Sequence, residues 1–332
     1  MRFSMLARSR RAFLKQSLAV APVIASPRVL AQPAWPSRAV KLMVSFAPGG
    51  SSDVVARALS PLLYERLGQP FVVENRPGAG GMIAAQQLKR ESPDGHAFII
   101  SNNAPFTLVP TLYKNPGYDP IKDFTHLGYL GTIYGGCITN PKTGLNNLRD
   151  LVARAKADPG KLTFGSSGIG SVGHIVGETF KRMAGIDILH VAYKGAALLR
   201  QDLAAGVVDL QFEGLLGNLP LLQSGALRAL GSASPERQAP APDVPTFREQ
   251  GYDITVEFWH GLSAPAGLPP EIGDRMERVL AELMQRREVL DRIGNYGIFY
   301  QPMTRAAFNK LVVDQVELWR PWIVAAGVAG QQ

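Results

Sequence analysis

The chain has 332 residues, 46% hydrophobic and 19% charged, with 34 Gly, 25 Pro and one Cys; that composition describes a folded globular protein, excludes disordered, collagenous and coiled-coil chains, and at this length favours two lobes over a single core. A lone thiol, Cys137, makes no intramolecular disulfide and no Cys/His spacing resembles a zinc site, which argues against metal chemistry. The formal charge of +8 would suit nucleic acid, but six basic residues and no acid lie within residues 1 to 31, and the remaining 29 basic and 27 acidic residues are too balanced for a phosphate-binding surface.

Residues 1 to 31 read as an export leader. Ser9-Arg10-Arg11-Ala12-Phe13-Leu14-Lys15 resembles a twin-arginine signal, and the apolar stretch from Gln16 to Ile24 is too short and Pro-interrupted to span a bilayer. Val29-Leu30-Ala31 supplies small residues for cleavage near Ala31. The mature protein is therefore expected outside the cytoplasm, in the periplasm.

Val40 to Ser45 reads as a buried strand, followed by the turn Pro48-Gly49-Gly50 and a helix from about Asp53 to Leu67. Phe71 to Val73 is a second strand; Pro77 to Gly81 leads into a helix ending near Arg90, and His96 to Ile100 is a third strand. The rhythm restarts near Gly136 with strand Cys137 to Thr139, helix 147 to 156, strand Leu162 to Phe164 and helix 171 to 184. Strand Ile188 to Val191, helix 196 to 204, strand Val207 to Phe212 and strand Leu227 to Leu230 follow. Segment 232 to 245 is a loop; strand 254 to 263 and helices at about 270 to 286 and 304 to 320 finish the chain. Short strands alternating with helices predict an α/β protein in which each lobe is a mainly parallel sheet flanked by helices. The predicted division is 32 to 131 plus 255 to 332 for one lobe and 132 to 254 for the other. Two crossings make a hinge with a cleft between the lobes.

Three segments share one design, a strand, a Gly/Ser-rich turn and a helix start: Phe46 to Asp53, Asn75 to Gly81 and Phe164 to Ser171. Amides at the positive end of a helix bind anions, and glycine permits close approach. Each turn also has a plainer reading, with Ser51, Ser52 or Ser171 simply capping a helix. Neither the first nor the third turn carries the Lys of a Walker A loop, and Gly-x-Gly-x-x-Gly and Gly-x-Ser-x-Gly are absent. Nucleotide cofactors and a serine nucleophile are thus disfavoured, no cofactor is expected, and a carboxylate suits the donors available. His174, one turn into its helix, either reaches a cleft anion or packs the helix. His190 is expected to be a strand residue packed under the loop that follows. Glu213, at the carboxyl end of its strand, either accepts a hydrogen bond from a ligand or caps the next segment. Phe46, Tyr193 and Trp259 either wall a pocket or belong to the core. No general acid and base pair emerges.

Read together, several motifs resemble those of one family. They are Phe46-x-Pro48-Gly49-Gly50-x-x-Asp53, Glu74-Asn75-Arg76-Pro77-Gly78-Ala79-Gly80-Gly81, Pro93-Asp94-Gly95, Gly165-Ser166-Ser167-Gly168 with Gly170-Ser171 and His174, and His190-Val191-x-Tyr193-Lys194-Gly195. Gly206-x-Val208-Asp209, Val244-Pro245-Thr246-Phe247 and Ala264-Pro265-x-Gly267 continue the series. In this order they resemble the Bug family, the TctC-like extracytoplasmic solute receptors of tripartite tricarboxylate transporters. The resemblance runs from about Trp35 to the last helix.

The resemblance implies a two-lobed, Venus-flytrap periplasmic binding protein, not an enzyme, that closes over a small organic carboxylate and delivers it to a membrane transporter. It implies that Phe46, Gly49, Gly50, Ser51 and Asp53, with Asn75 and Gly80, form the carboxylate end. Ser101, Ser166, Ser167, Gly170, Ser171, His174, Tyr193 and Glu213 are then the candidates for closure and selectivity. A receptor of this kind is expected to be a monomer. Ala192 stands where the family usually has Pro, and Glu213 where Asp is common. The alternatives are an exported hydrolase or isomerase acting on a small carboxylate, and a ligand-dependent partner of a sensor protein.

Overall fold

The protein is described by a computed structural model over residues 35 to 330. The leader expected over residues 1 to 31 lies outside the described residues. In chain order the first elements are β1 (Val40–Val44), α1 (Ser51–Leu67), β2 (Phe71–Asn75), α2 (Met82–Arg90), β3 (Ala97–Asn102), a short α3 (Val109–Leu112) and β4 (Phe124–Thr139). Then come α4 (Leu148–Ala157), β5 (Thr163–Ser166), α5 (Val172–Ala184), β6 (Leu189–Ala192), α6 (Ala196–Ala205), β7 (Leu210–Gly214), α7 (Leu219–Gln223) and β8 (Arg228–Ser232). The chain closes with β9 (Glu257–Pro265), α8 (Pro270–Leu283), α9 (Arg287–Gly294) and α10 (Arg305–Ala325).

Local chemistry sets the element ends. Gly68, at φ 78°, donates its N–H to the Tyr64 carbonyl and stops α1, while the Thr304 hydroxyl accepts from the Ala307 N–H and starts α10. β1 pairs in parallel with β2 and β3, and β5 in parallel with β6 and β7, as the alternation of short strands and helices requires. The sheet is nevertheless mixed: β9 runs antiparallel to β3 and β4, and β4 antiparallel to β7 and β8. Strand order is β2-β1-β3-β9-β4-β7-β5-β6, with β8 also on β4.

β4 is the element that joins the halves. The sequence pattern places a strand only from Cys137, whereas a single 16-residue strand runs from Phe124, pairing first with β9 and from Gly135 onward with β7. Gly128, Gly131, Gly135 and Gly136 blank out the alternation that marks a strand. Gly131 is required: at φ 122° its added Cβ would stand 2.7 Å from the Ile298 side chain and 2.9 Å from the Phe299 carbonyl.

Each half is packed on both sheet faces. In the first, Val40, Leu42 and Val44 meet Val55, Leu59 and Leu63 of α1 on one side, and Met43 and Ile99 meet α2 on the other. In the second, Phe164 and Phe212 pack against Phe180 and Phe247, and Ile138 against Leu199 and Leu203 of α6. α10 serves both cores. Phe308 and Val312 belong to the first half, Trp319 and Ile323 to the second, and Arg182 of α5 donates to the Ala325 carbonyl. Burying each such side chain contributes about 1.5–3 kcal/mol. Among the described residues no helix is long and apolar enough to cross a membrane.

Candidate ligand-binding site

β5 and β6 are a parallel pair, so α5 and α6 start at one edge of the second half; β1 of the first half runs opposite to them across three antiparallel pairings, and its carboxyl end brings the start of α1 to face theirs. α1 begins at Gly50 and α6 at Gly195, neither with a side-chain cap. α5 begins at Ser171, whose hydroxyl accepts from the His174 N–H at 3.4 Å. A cavity of about 60 Å³ lies at this convergence, bordered by Gly50, Ser51 and Ser52 of the first turn, Ser171 and Val172 of α5, and Ala196 of α6. Phe46, Ser167, Glu213, Phe258 and Trp259 complete its wall, along with Asn102, Asn103 and His260. Uncapped amides at helix starts direct partial positive charge into this space.

Neither serine of the first turn caps its helix. The Ser51 hydroxyl lies 2.9 Å from His260 Nε2, and Ser52 accepts from the Asn102 amide at 3.3 Å. Burial lowers the His260 pKa to about 4, so the ring beside Ser51 is neutral at ordinary pH. Glu213, 8% exposed, accepts from the Ser167 N–H at 2.9 Å. Burial pushes its carboxyl above the usual range, against the pull of that amide and of Arg200.

Several predicted residues brace this cavity from behind rather than lining it. Asp53 Oδ2 accepts from the Gly49 N–H and from Arg57 Nε, both at 3.0 Å, and Asp53 Oδ1 accepts from Asn75 Nδ2, also at 3.0 Å. Burial raises the Asp53 carboxyl, but Arg57, the Gly49 amide and Asn75 outweigh it and hold it below its ordinary value. Asn75 also donates to the Phe46 carbonyl at 2.9 Å. Gly80 packs backbone to backbone on Gly170, where an added Cβ would come 3.1 Å from the Gly170 carbonyl. Ser101 is buried in β3 and accepts from the Ser263 hydroxyl at 2.9 Å.

The third turn is held in the same way. Ser166 donates to the Gly168 carbonyl at 3.1 Å and lies 2.7 Å from His190 Nε2, while His174 Nδ1 accepts from the Gly170 N–H at 3.3 Å. His174 and His190 stack with ring centroids 4.2 Å apart, and neither borders the cavity. Burial, with Lys181 nearby, lowers His174 to about 4; burial, then His174 and Lys181, lowers His190 to about 3. Tyr193 covers Gly165, and burial together with Asp202 pushes its hydroxyl up to about 12.

Sequence reading missed two features. The turn after β6 contributes Ala196, whose apolar side chain gives no signal, and Gly195 lets it approach: a Cβ there would lie 2.9 Å from Ala47 of the opposite half. The second is Arg200. It donates from Nη2 to the Tyr296 hydroxyl at 2.7 Å, and that hydroxyl donates to the Gly49 carbonyl at 3.1 Å, a chain running from α6 across to the first turn.

Two sheet halves, joined through β4 and β9 and enclosing a cavity at their facing helix starts, define a two-lobed periplasmic binding protein of the Venus-flytrap type. The profile of the TctC family, described as the tripartite tricarboxylate transporter family receptor, matches residues 55–328, and the chain belongs to that family. BugT of Bordetella pertussis is 33% identical over 287 residues, covering 86% of this chain and 88% of BugT. The structure of Rpa4515 from R. palustris with adipate superposes with a TM-score of 0.85 at 31% identity, covering 90% of this chain and all of that one. The periplasmic binding protein BugD gives a TM-score of 0.84 at 32% identity, with 90% and 100% coverage. The chain is accordingly a solute receptor and not an enzyme, which removes the hydrolase or isomerase alternative.

Proposed function

We propose that the cavity at the starts of α1, α5 and α6 holds a carboxylate of a small organic acid, and that closure of the halves over it creates the surface read by a tripartite tricarboxylate-type transporter. The convergence of three helix starts on one space, those of α1 and α6 without a side-chain cap, supports this reading, since free amides at a helix start favour an anion without a fixed cation. Adipate bound by Rpa4515, a structural relative, supports it. In this reading Gly50, Ser51, Ser171 and Ala196 present the donors. Phe46 and Phe258 wall the guest, and Asp53, Asn75, Gly80, Gly170 and His174 keep the turns in place. Residues 32 to 131 with 255 to 332, and residues 132 to 254, move as two bodies about β4 and β9. The protein acts in the periplasm as a monomer after twin-arginine export and cleavage near Ala31.

The test is thermal shift followed by calorimetry of the purified protein with mono-, di- and tricarboxylates and amino acids. A ligand at a hundred times its Kd stabilises the folded state by about 2.7 kcal/mol. The reading stands if at least one acid binds saturably and is recovered unchanged, and is lost if no acid shifts the melting point.

A further inference from the structure

The β4–β9 ladder has a second concave face. Phe258 of β9 borders the carboxylate cavity with its register partner Ile133 of β4 beside it, so Thr132, Tyr134 and Glu257, next along the two strands, point to the opposite side. On that side lies a cleft of about 340 Å³, within the size range of small-molecule sites. Tyr129, Thr132 and Tyr134 of β4 form one wall together with Phe299, and the segment from Ser234 to Pro240 forms the other. A guest there would touch both halves of the protein.

Glu257 stands between these walls. It is the register partner of Tyr134, and cross-strand partners share a face at about 5 Å. Val256, just before it, donates its N–H to the Ala233 carbonyl, which sets Glu257 beside the start of the 234 to 240 segment. The side chain is partly buried, yet among the described residues no ion pair or hydrogen bond engages its carboxylate. Burial alone raises that carboxyl above its usual range, with no positive group to offset it.

Gln238 lines the cleft and is 7% exposed. Its Nε2 donates to the Ser232 hydroxyl at 2.8 Å, but its Oε1 is buried without a donor. A buried acceptor left unpaired costs free energy that a guest's N–H or O–H would recover. Tyr129, Tyr134 and Phe299 supply ring faces, and Phe299 is 40% exposed. Arg237, the basic residue on the wall, is already engaged by Glu249 at 3.0 Å and by the Pro242 carbonyl at 3.1 Å. Glu236 and Glu257 are left to set the sign of the charge around the cleft.

We propose that this cleft, on the far side of the ladder from the carboxylate cavity, binds a small organic cation of the alkylammonium or quaternary ammonium class. Glu257 and the faces of Tyr129, Tyr134 and Phe299 hold its charge, and Gln238 Oε1 accepts from its N–H or O–H. Aromatic faces beside a carboxylate favour an ammonium group over other guests: an anion meets two acids, and an apolar molecule leaves the Gln238 oxygen unpaired. The site is separate from the carboxylate cavity and does not rest on the reading of that cavity.

The experiment is calorimetry of the purified protein with choline and with butylammonium, each set against its neutral analogue, 3,3-dimethylbutan-1-ol or 1-butanol. At least one ammonium is expected to bind saturably, with its neutral analogue at least about tenfold weaker. Glu257→Gln should raise the Kd of that ammonium about tenfold, and Tyr134→Leu about three- to tenfold. Glu257→Gln exchanges a carboxylate without a protein partner for an amide of the same shape and should fold; melting curves check both variants. The site is overturned if neither ammonium binds, if the neutral analogue binds as tightly, or if Kd is unchanged in Glu257→Gln. Should that variant fail to fold, an unchanged Kd in Tyr134→Leu decides against the site in its place.

Discussion

Replacing Tyr296 by Phe probes how closure is held. The Tyr296 hydroxyl accepts from Arg200 Nη2 at 2.7 Å and donates to the Gly49 carbonyl at 3.1 Å, so one oxygen ties α6 of the second half to the first turn of the other. When the halves part, all three groups meet water, and the loss therefore falls on the closed state alone. A neutral bond contributes about 0.5–1.5 kcal/mol and one to a charged group about 1.5–3. The Gly49 contact is solvent-exposed and Arg200 only partly buried, so water recovers much of this; about 1–2 kcal/mol should remain. Because apparent affinity scales with the population of the binding-competent state, Kd is expected to rise about five- to thirtyfold for every ligand. Calorimetry gives the affinity, and stopped-flow release should place most of the change in the dissociation rate. An unchanged Kd with an unchanged melting point would refute the idea that this hydroxyl latches the halves.

Gly49→Val adds a β-branched side chain at φ 83°, with its Cβ 3.2 Å from that of Ala197 across the cleft; affinity should fall at least tenfold for about 1–2 kcal/mol of stability, checked by calorimetry and urea unfolding. Three buried histidines, His126, His174 and His260, and the half-buried His190 have pKa values lowered to about 4, 4, 4 and 3. The unfolded chain protonates near 6.5 and the native state does not, so the stability these residues provide is complete above about pH 7 and declines as pH falls from about 6.5 towards 4. The unfolding free energy from urea titrations should drop by about 1 kcal/mol per histidine per pH unit in that window, and a flat profile between pH 7 and 5 would contradict their being held neutral in the fold. Arg10→Lys with Arg11→Lys should strand the precursor in the cytoplasm, read by fractionation; normal export would exclude the twin-arginine route.

The sequence made the strand-and-helix rhythm legible because β1 and β5 are short strands followed by glycine and serine turns, and those two turns lie at the cavity as helix-end chemistry demands, whereas the glycine turn after β2 does not border it. It also marked Phe46, Gly50, Ser51, Ser167, Ser171 and Glu213, all on the cavity wall. Side-chain type could not separate residues that face the cavity from those that support it. Asp53, Asn75, His174 and Tyr193 are polar or aromatic like binding residues, yet their partners are other parts of the turns. β4 escaped notice because its glycines carry no hydrophobic signal, although they admit Phe258, Ile298 and Leu215 against the strand. Arg200 and Tyr296 lie 96 residues apart, each unremarked locally. Only the folding of α6 over β7, with α9 returning Tyr296 from the far end of the chain, brings them to one wall, because a side chain's charge environment is set by neighbours distant in sequence.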